Sequence, residues 1–268
     1  ALKKEYHKFI GEYFTKNFGE KEEYAGKIAH HLLEADQKKE VLPYLIRAGE
    51  HAKKLFANEE AIGYFDKAIE LVDEHLEQHL TPDLQRTKLT LLKGRAEVKT
   101  LIGRYDEAGV DYENIRRLGQ RLEDQAERAY GLSGLGATFR DRDYEMALSY
   151  YEQALRIQRQ IGDKQGEGSA LIGIGGIHYN RDDYNTALSY FEQSLQIQRG
   201  LGNKLGEGNA LNGIGVVHYN WGNYERALSY FEQSLQIQRG LGNKLGEGNA
   251  LNNIGNVHVD RGDYELAL

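Results

Sequence analysis

Three histidines stand 40 residues apart, at His178, His218 and His258, and imidazoles at a fixed spacing invite a metal reading. The ligands of one ion must converge within a few ångströms of it. Each of these histidines holds the same place in its own copy of a repeated unit, so neighbours lie about a repeat apart and packing is their expected role. His75 and His79 can share one helical face, yet no H-E-x-x-H surrounds them and no third ligand accompanies them. A solvated helix end is their expected place. His30 and His31 are adjacent, so on a helix they point in different directions, one packing and one exposed. Gly173-Ile174-Gly175-Gly176 and Gly166-Glu167-Gly168 read as fragments of a phosphate loop. A dinucleotide fingerprint needs a complete G-x-G-x-x-G after a strand, no strand is predicted, and no G-x-x-x-x-G-K followed by Ser or Thr occurs. With no cysteine and no Ser/His/Asp grouping beyond chance, the chain is expected to hold no metal or cofactor and to catalyse nothing.

The elements that would position any site follow from the repetition. Ala187–Asn212 recurs letter for letter at Ala227–Asn252, and Ala147 opens a close variant one period earlier. A fixed period in this range marks a solenoid, in which each unit buries its apolar face only against its neighbours. Within one copy, Leu211, Ile214, Gly215 and His218 fall at helical spacing. A turn at Trp221-Gly222 follows, with Asn223 placed to cap a second helix that buries Tyr224, Ala227, Leu228, Phe231, Leu235 and Ile237. Asp143, Asp183 and Asp263 hold the capping place in other copies, and Asn203 or Asp163 is placed to cap the next first helix. Gly162, Gly202, Gly242 and Gly166, Gly206, Gly246 are assigned to turns. Gly175, Gly215 and Gly255 lie in an apolar run, where a missing side chain lets another helix approach.

The pattern Leu211, Gly215, His218, Ala227, Phe231, Ser234 resembles the tetratricopeptide signature of large residue, glycine, aromatic, alanine, aromatic, small residue. The 40-residue spacing and the linker Gly202-Asn203-Lys204-Leu205-Gly206-Glu207-Gly208 are similar to the repeats of kinesin light chains and G-protein-signalling-modulator scaffolds. His218 departs from the usual tyrosine, as do His178 and His258, whereas Phe139 keeps an aromatic. The match covers Leu42–Leu268. Ile28–Leu71 resembles the entry into the repeat region of large prokaryotic signalling ATPases of the STAND/AAA type. The resemblance implies an all-α fold, a superhelical solenoid of stacked antiparallel helix pairs.

Earlier in the chain, helices are expected over Leu2–Asn17, Glu22–Ala35, Leu42–Phe56, Glu59–His79, Asp83–Ile102 and Tyr105–Leu122. Residues 1–41 read as a helical hairpin leading into the repeats, 42–128 as two divergent repeats, and 129–268 as three near-identical repeats plus a truncated fourth. The copy running through Gly136 to Tyr144 is one residue shorter than that from Gly175 to Tyr184, which predicts a tighter turn. Tyr264–Leu268 would begin a second helix, and the abrupt ends suggest a piece of a longer protein. The formal charge of −7, with both signs mixed throughout, offers no basic face to a nucleic acid. No apolar run is long enough to span a membrane, and without cysteine or a signal pattern a cytoplasmic location is expected.

In stacks of the family it resembles, first helices line a concave groove, and its positions can be read off the repeat. They are Ser169, Ile172, Gly173, Gly176, Tyr179 and Asn180; then Asn209, Asn212, Gly213, Val216, Tyr219 and Asn220; then Asn249, Asn252, Asn253, Asn256, Val259 and Asp260. Asparagine is a mediocre helix former, so a column of it calls for a reason. A carboxamide donates to and accepts from a peptide backbone at once. Arg159, Arg199 and Arg239 would add a charged rim, or pair with Glu192 and Glu232. The expected function is a non-catalytic scaffold that binds a protein or peptide, as the sensor or docking arm of a larger signalling protein. Two other readings stand beside it. One is a spacer or self-assembling solenoid, associating through its open C-terminal end, with the asparagines merely copied on a solvated face. The other is the regulatory part of an ATPase whose catalytic module lies outside this chain.

Overall fold

The computed structural model describes residues 2–78, 81–263 and 265. Among these there are thirteen α-helices and no strand. They divide into two compact units, Ala1–Asp124 and Gln125–Leu268, each a stack of helices joined by short turns. The first holds α1 (Leu2–Phe18), a single 3₁₀ turn (Glu22–Tyr24), α2 (Ala25–Glu34), α3 (Lys38–Lys54), α4 (Asn58–Gln78), α5 (Pro82–Leu101) and α6 (Tyr105–Arg121). The second holds α7 (Gln125–Phe139), α8 (Tyr144–Ile161), α9 (Lys164–Asn180), α10 (Tyr184–Leu201), α11 (Lys204–Asn220), α12 (Tyr224–Gly240) and α13 (Lys244–Arg261). Connections of a few residues force neighbouring helices antiparallel. His79, and the helix expected to begin at Tyr264, lie outside the described residues.

Local chemistry sets the helix ends in the second unit. Asp163, Asn203 and Asn243 each accept the backbone N–H three residues on, at 2.9, 3.2 and 3.3 Å, which satisfies one orphan donor of the first turn. Asp143 and Asp183 do the same for α8 and α10. Helices α8 and α10 close at Gly162 and Gly202 with φ of 72° and 66°, a left-handed backbone that costs glycine little.

Between helices, one contact recurs. The Phe191 ring of α10 lies against both Gly175 of its own first helix and Gly213 of the next, where an added Cβ would sit 2.8 Å from ring carbons in each case. Tyr151 is held in the same way between Gly136 and Gly173, and in the first unit Phe65 between Gly49 and Gly94. Ser194 and Ser234 add a hydroxyl bond of 2.8 Å to the Gly168 and Gly208 carbonyls. In the second unit the turn from each second helix to the next first helix is tied by a buried or half-buried carboxylate holding two cations. Glu207 accepts from Arg199 at 2.9 Å and from Lys204 at 2.7 Å. Glu167 and Glu247 repeat the arrangement with Arg159 and Lys164 and with Arg239 and Lys244.

Several expectations are corrected. The prediction for α3 starts too late: the helix begins at Lys38 and carries Pro43 inside it, because Val41 and Leu45, one turn apart, are both fully buried. Glu22–Tyr24 is a separate 3₁₀ turn and α2 starts only at Ala25. Asn223 stands at the start of α12 but makes no side-chain capping bond. Gly166, Gly206 and Gly246 are not turn residues; they lie in the first turns of α9, α11 and α13, where an added Cβ would press on Gln158, Gln198 and Gln238 of the preceding helices and, at Gly166 and Gly246, on the capping side chain. The residue missing after Gly136 does not tighten the turn. It shortens α7, which ends at Phe139, the position of His178, whereas α9 runs on to Asn180. The three arginines pair with Glu167, Glu207 and Glu247, not with Glu192 or Glu232.

Three outcomes follow. Gly215→Ala places a Cβ 2.6 Å from the Phe231 ring, which is itself 1% exposed, so urea unfolding should show a loss of about 1–3 kcal/mol. Gly200→Ala, with nothing within 4 Å, should be neutral or stabilising by up to about 1 kcal/mol. The Glu207 carboxyl is held below its ordinary range by the Lys204 bond, against burial and with help from Arg199; Glu247 is held low by Arg239 and Lys244. A carboxyl lowered by folding contributes stability that is full above the ordinary pKa of about 4.3 and is lost as pH falls through the folded value. Thermal melts should therefore drop on acidification below about pH 4.3, and less steeply in a Glu207→Gln/Glu247→Gln variant; an equal slope would contradict the assignment.

Candidate functional site

In the second unit the first helices of the pairs, α7, α9, α11 and α13, touch one another in succession, while no comparable contact joins α8 to α10 or α10 to α12. The side carrying the first helices is thus the shorter, inner side of the stack. On it, the column read from the repeat is open in every copy: Ser169, Asn180, Asn209, Asn220, Asn249, Asn252 and Asn256 are exposed, and Tyr179, Asn212, Tyr219 and Asn253 half-buried.

These side chains are brought together across copies. Asn180 Nδ2 donates to Asp141 at 3.3 Å, Asn220 Nδ2 to the Tyr179 hydroxyl at 2.8 Å, the Tyr219 hydroxyl to Asp260 at 2.6 Å, and Asn253 Nδ2 to Asn212 at 2.9 Å. Asn209 accepts from Gln238 at 3.2 Å, nearer the start of the helix. The side chains of Asn249, Asn252 and Asn256 make no hydrogen bond among the described residues. The Asp260 carboxylate, and then burial, push the Tyr219 hydroxyl up to about 12, so it remains a neutral donor. Arg159, Arg199 and Arg239 are half exposed but stand at the turns into α9, α11 and α13, held by their glutamates.

Between the ends of α7, α9 and α11 the inner face deepens into a hollow of roughly 280 Å³, bordered by Arg140, Asp141, Gly176, Tyr179, Asn180, Phe191, Gly213 and Val216. Neither Phe191 nor the pair Arg140–Asp141 was expected there. The signal lay in comparing copies, since Gly176 corresponds to Val216 and Asn256 in the next two.

Two of the three repeat histidines pack against tyrosine rings. His218 is buried and stacks on Tyr230 with centroids 5.4 Å apart, and burial, then Arg226, lowers its pKa, so it packs as a neutral ring. His178 stacks on Tyr190 and meets Asp183 at 3.1 Å. His75 Nδ1 lies 2.6 Å from the Leu71 carbonyl. His30 is exposed and His31 half-buried, and both adjoin His7 of α1, a neighbour 24 residues from His31 that the pattern could not reveal. Among the described residues, no group of three His, Cys, Asp or Glu side chains is arranged to hold a metal, and no helix is long and apolar enough to cross a membrane.

A tetratricopeptide repeat family model matches residues 87–160, 166–240 and 222–268. No curated protein matches the sequence. Among solved structures the chain is similar to BtubC (BKLC) from P. vanneervenii, at 20% identity over 79% of this chain and 87% of that one, with a TM-score of 0.61. It is similar to a Rap protein complexed with Competence and Sporulation Factor, at 18% identity over 100% and 72% of the two chains, TM-score 0.66. A third is a signal transduction ATPase with numerous domains carrying a tetratricopeptide repeat sensor, from Pyrococcus horikoshii, at 20% identity over 91% of this chain and 38% of that one, TM-score 0.51. Folds of this kind are in general non-catalytic interaction scaffolds. With helix pairs, inner-side glycines and a matching model over more than half its length, the chain belongs to the tetratricopeptide repeat family.

Proposed function

We propose that the second unit binds a segment of a partner protein or a peptide along the inner face of its first helices, serving as the sensor or docking arm of a larger signalling protein. The observation that carries this is the cross-copy pairing of polar side chains. Asn253 Nδ2 donates to Asn212 Oδ1. The pair is thereby held in place, yet among the described residues Asn212 keeps its amide hydrogens and Asn253 its oxygen. One donor and one acceptor are what a peptide group needs, and a site fixed before binding avoids much of the ordering cost of association. The likeness to a Rap protein solved with Competence and Sporulation Factor supports a ligand-binding role, and the likeness to an ATPase with a repeat sensor supports the signalling context.

An Asn212→Ala/Asn252→Ala variant tests the reading. Pull-down from host lysate with the wild-type chain should retain a partner that the variant loses, while circular dichroism and urea melts of the two agree within about 1 kcal/mol, the worth of one exposed hydrogen bond. Equal capture by both chains would remove the inner face from consideration.

A further inference from the structure

We propose that the hollow at Gly176 is the anchor subsite of this face and takes one aromatic side chain of the bound segment; the inference rests on the inner-face reading and narrows it to a ligand class. The floor is the Phe191 ring, which is 5% exposed, and the walls are Gly176, Gly213 and Val216. A Cβ added at Gly176 would meet no atom within 4 Å, so the absent side chain leaves room rather than relieving a clash. Gly213 differs: its Cβ would press on Phe191 at 2.8 Å, and its glycine belongs to the packing of the stack.

The hollow exists because this copy differs from the next. Val216 occupies in α11 the place of Gly176 in α9, and Asn256 the same place in α13, so that position carries a side chain in both of those copies. A hollow at one copy of a repeated face is where one residue of a ligand is singled out.

Size and polarity select the occupant. An apolar cavity of about 150 Å³ holds a benzene ring, so roughly 280 Å³ accommodates a ring together with its methylene and adjoining backbone. Two bare glycine surfaces flank the space, and a flat ring lies against such walls with its edge or face toward Phe191. At the mouth, Arg140 and Asp141 pair with each other at 3.2 Å and leave no net charge, so a charged side chain would be desolvated there without a counterion.

The test uses the full chain and a phage-displayed library of random short peptides as probe. Wild-type protein should enrich peptides carrying Phe, Tyr or Trp at one fixed position, and the best of them should bind Gly176→Val weaker by about tenfold or more. The same variant should melt no lower than wild type, since the space is open and α11 already carries valine there; Gly176→Ala should lose less affinity. Undiminished binding to Gly176→Val, with binding lost in Asn212→Ala/Asn252→Ala, would overturn the anchor and leave the face intact. Enrichment of aliphatic or charged residues in place of aromatic ones would overturn the ligand class. A library that enriches nothing would overturn both the anchor and the inner-face reading.

Discussion

An aromatic ring clamped between two glycines of successive helices is the contact on which the rest depends. Phe191 between Gly175 and Gly213, and Tyr151 between Gly136 and Gly173, join a second helix at once to its own partner and to the next copy. A solenoid has no central core, so its stability is a sum of such nearest-neighbour interfaces. Each ring is large enough to bury substantial apolar area, and the absent Cβ atoms let the backbones come close enough to bury it on both sides. Glycine in a helix interior is unfavourable by about 1 kcal/mol relative to alanine, and the close packing it permits more than offsets this.

That close approach has a consequence on the inner side. Once first helices touch their successors, polar side chains about 40 residues apart fall within hydrogen-bond reach, and the Asn220–Tyr179, Tyr219–Asp260 and Asn253–Asn212 bonds form. These bonds link the copies along the column, while Asn249, Asn252 and Asn256 stay exposed without a side-chain hydrogen bond among the described residues. The outer turns are governed by charge instead, with Glu167, Glu207 and Glu247 each drawing an arginine and a lysine from either side of the turn. The first unit uses a denser version of the same idea, where the fully buried Asp111 is held by Arg95 and Lys99 between α5 and α6.

Near-identity of the copies concentrates meaning in the places where they differ. Gly176, Val216 and Asn256 share one register position, and at the glycine an added Cβ would meet no atom within 4 Å, beside the hollow that Phe191 lines. His178, His218 and His258 do not differ, and two of them stack on the tyrosines Tyr190 and Tyr230 as aromatic residues would.

What the sequence alone determined was much of what is governed by contacts within one copy, although the missing Asn223 cap shows that a placed residue need not make its bond. The helix pairs, their period, the Asp163 and Asn203 caps and the glycines at Gly202 and Gly215 follow from spacing that a few consecutive residues enforce. What only the tertiary structure decided depends on distances between copies or across turns. Arg199 chose Glu207 over Glu192 because the turn carries the chain back beside it, and His31 met His7 because α1 folds onto α2. The start of α3 at Lys38, against the signal of Pro43, was settled by burial of Val41. The hollow at Gly176 required the positions of three helices at once, and helix crossing geometry is set by side-chain packing that no single stretch of the chain encodes.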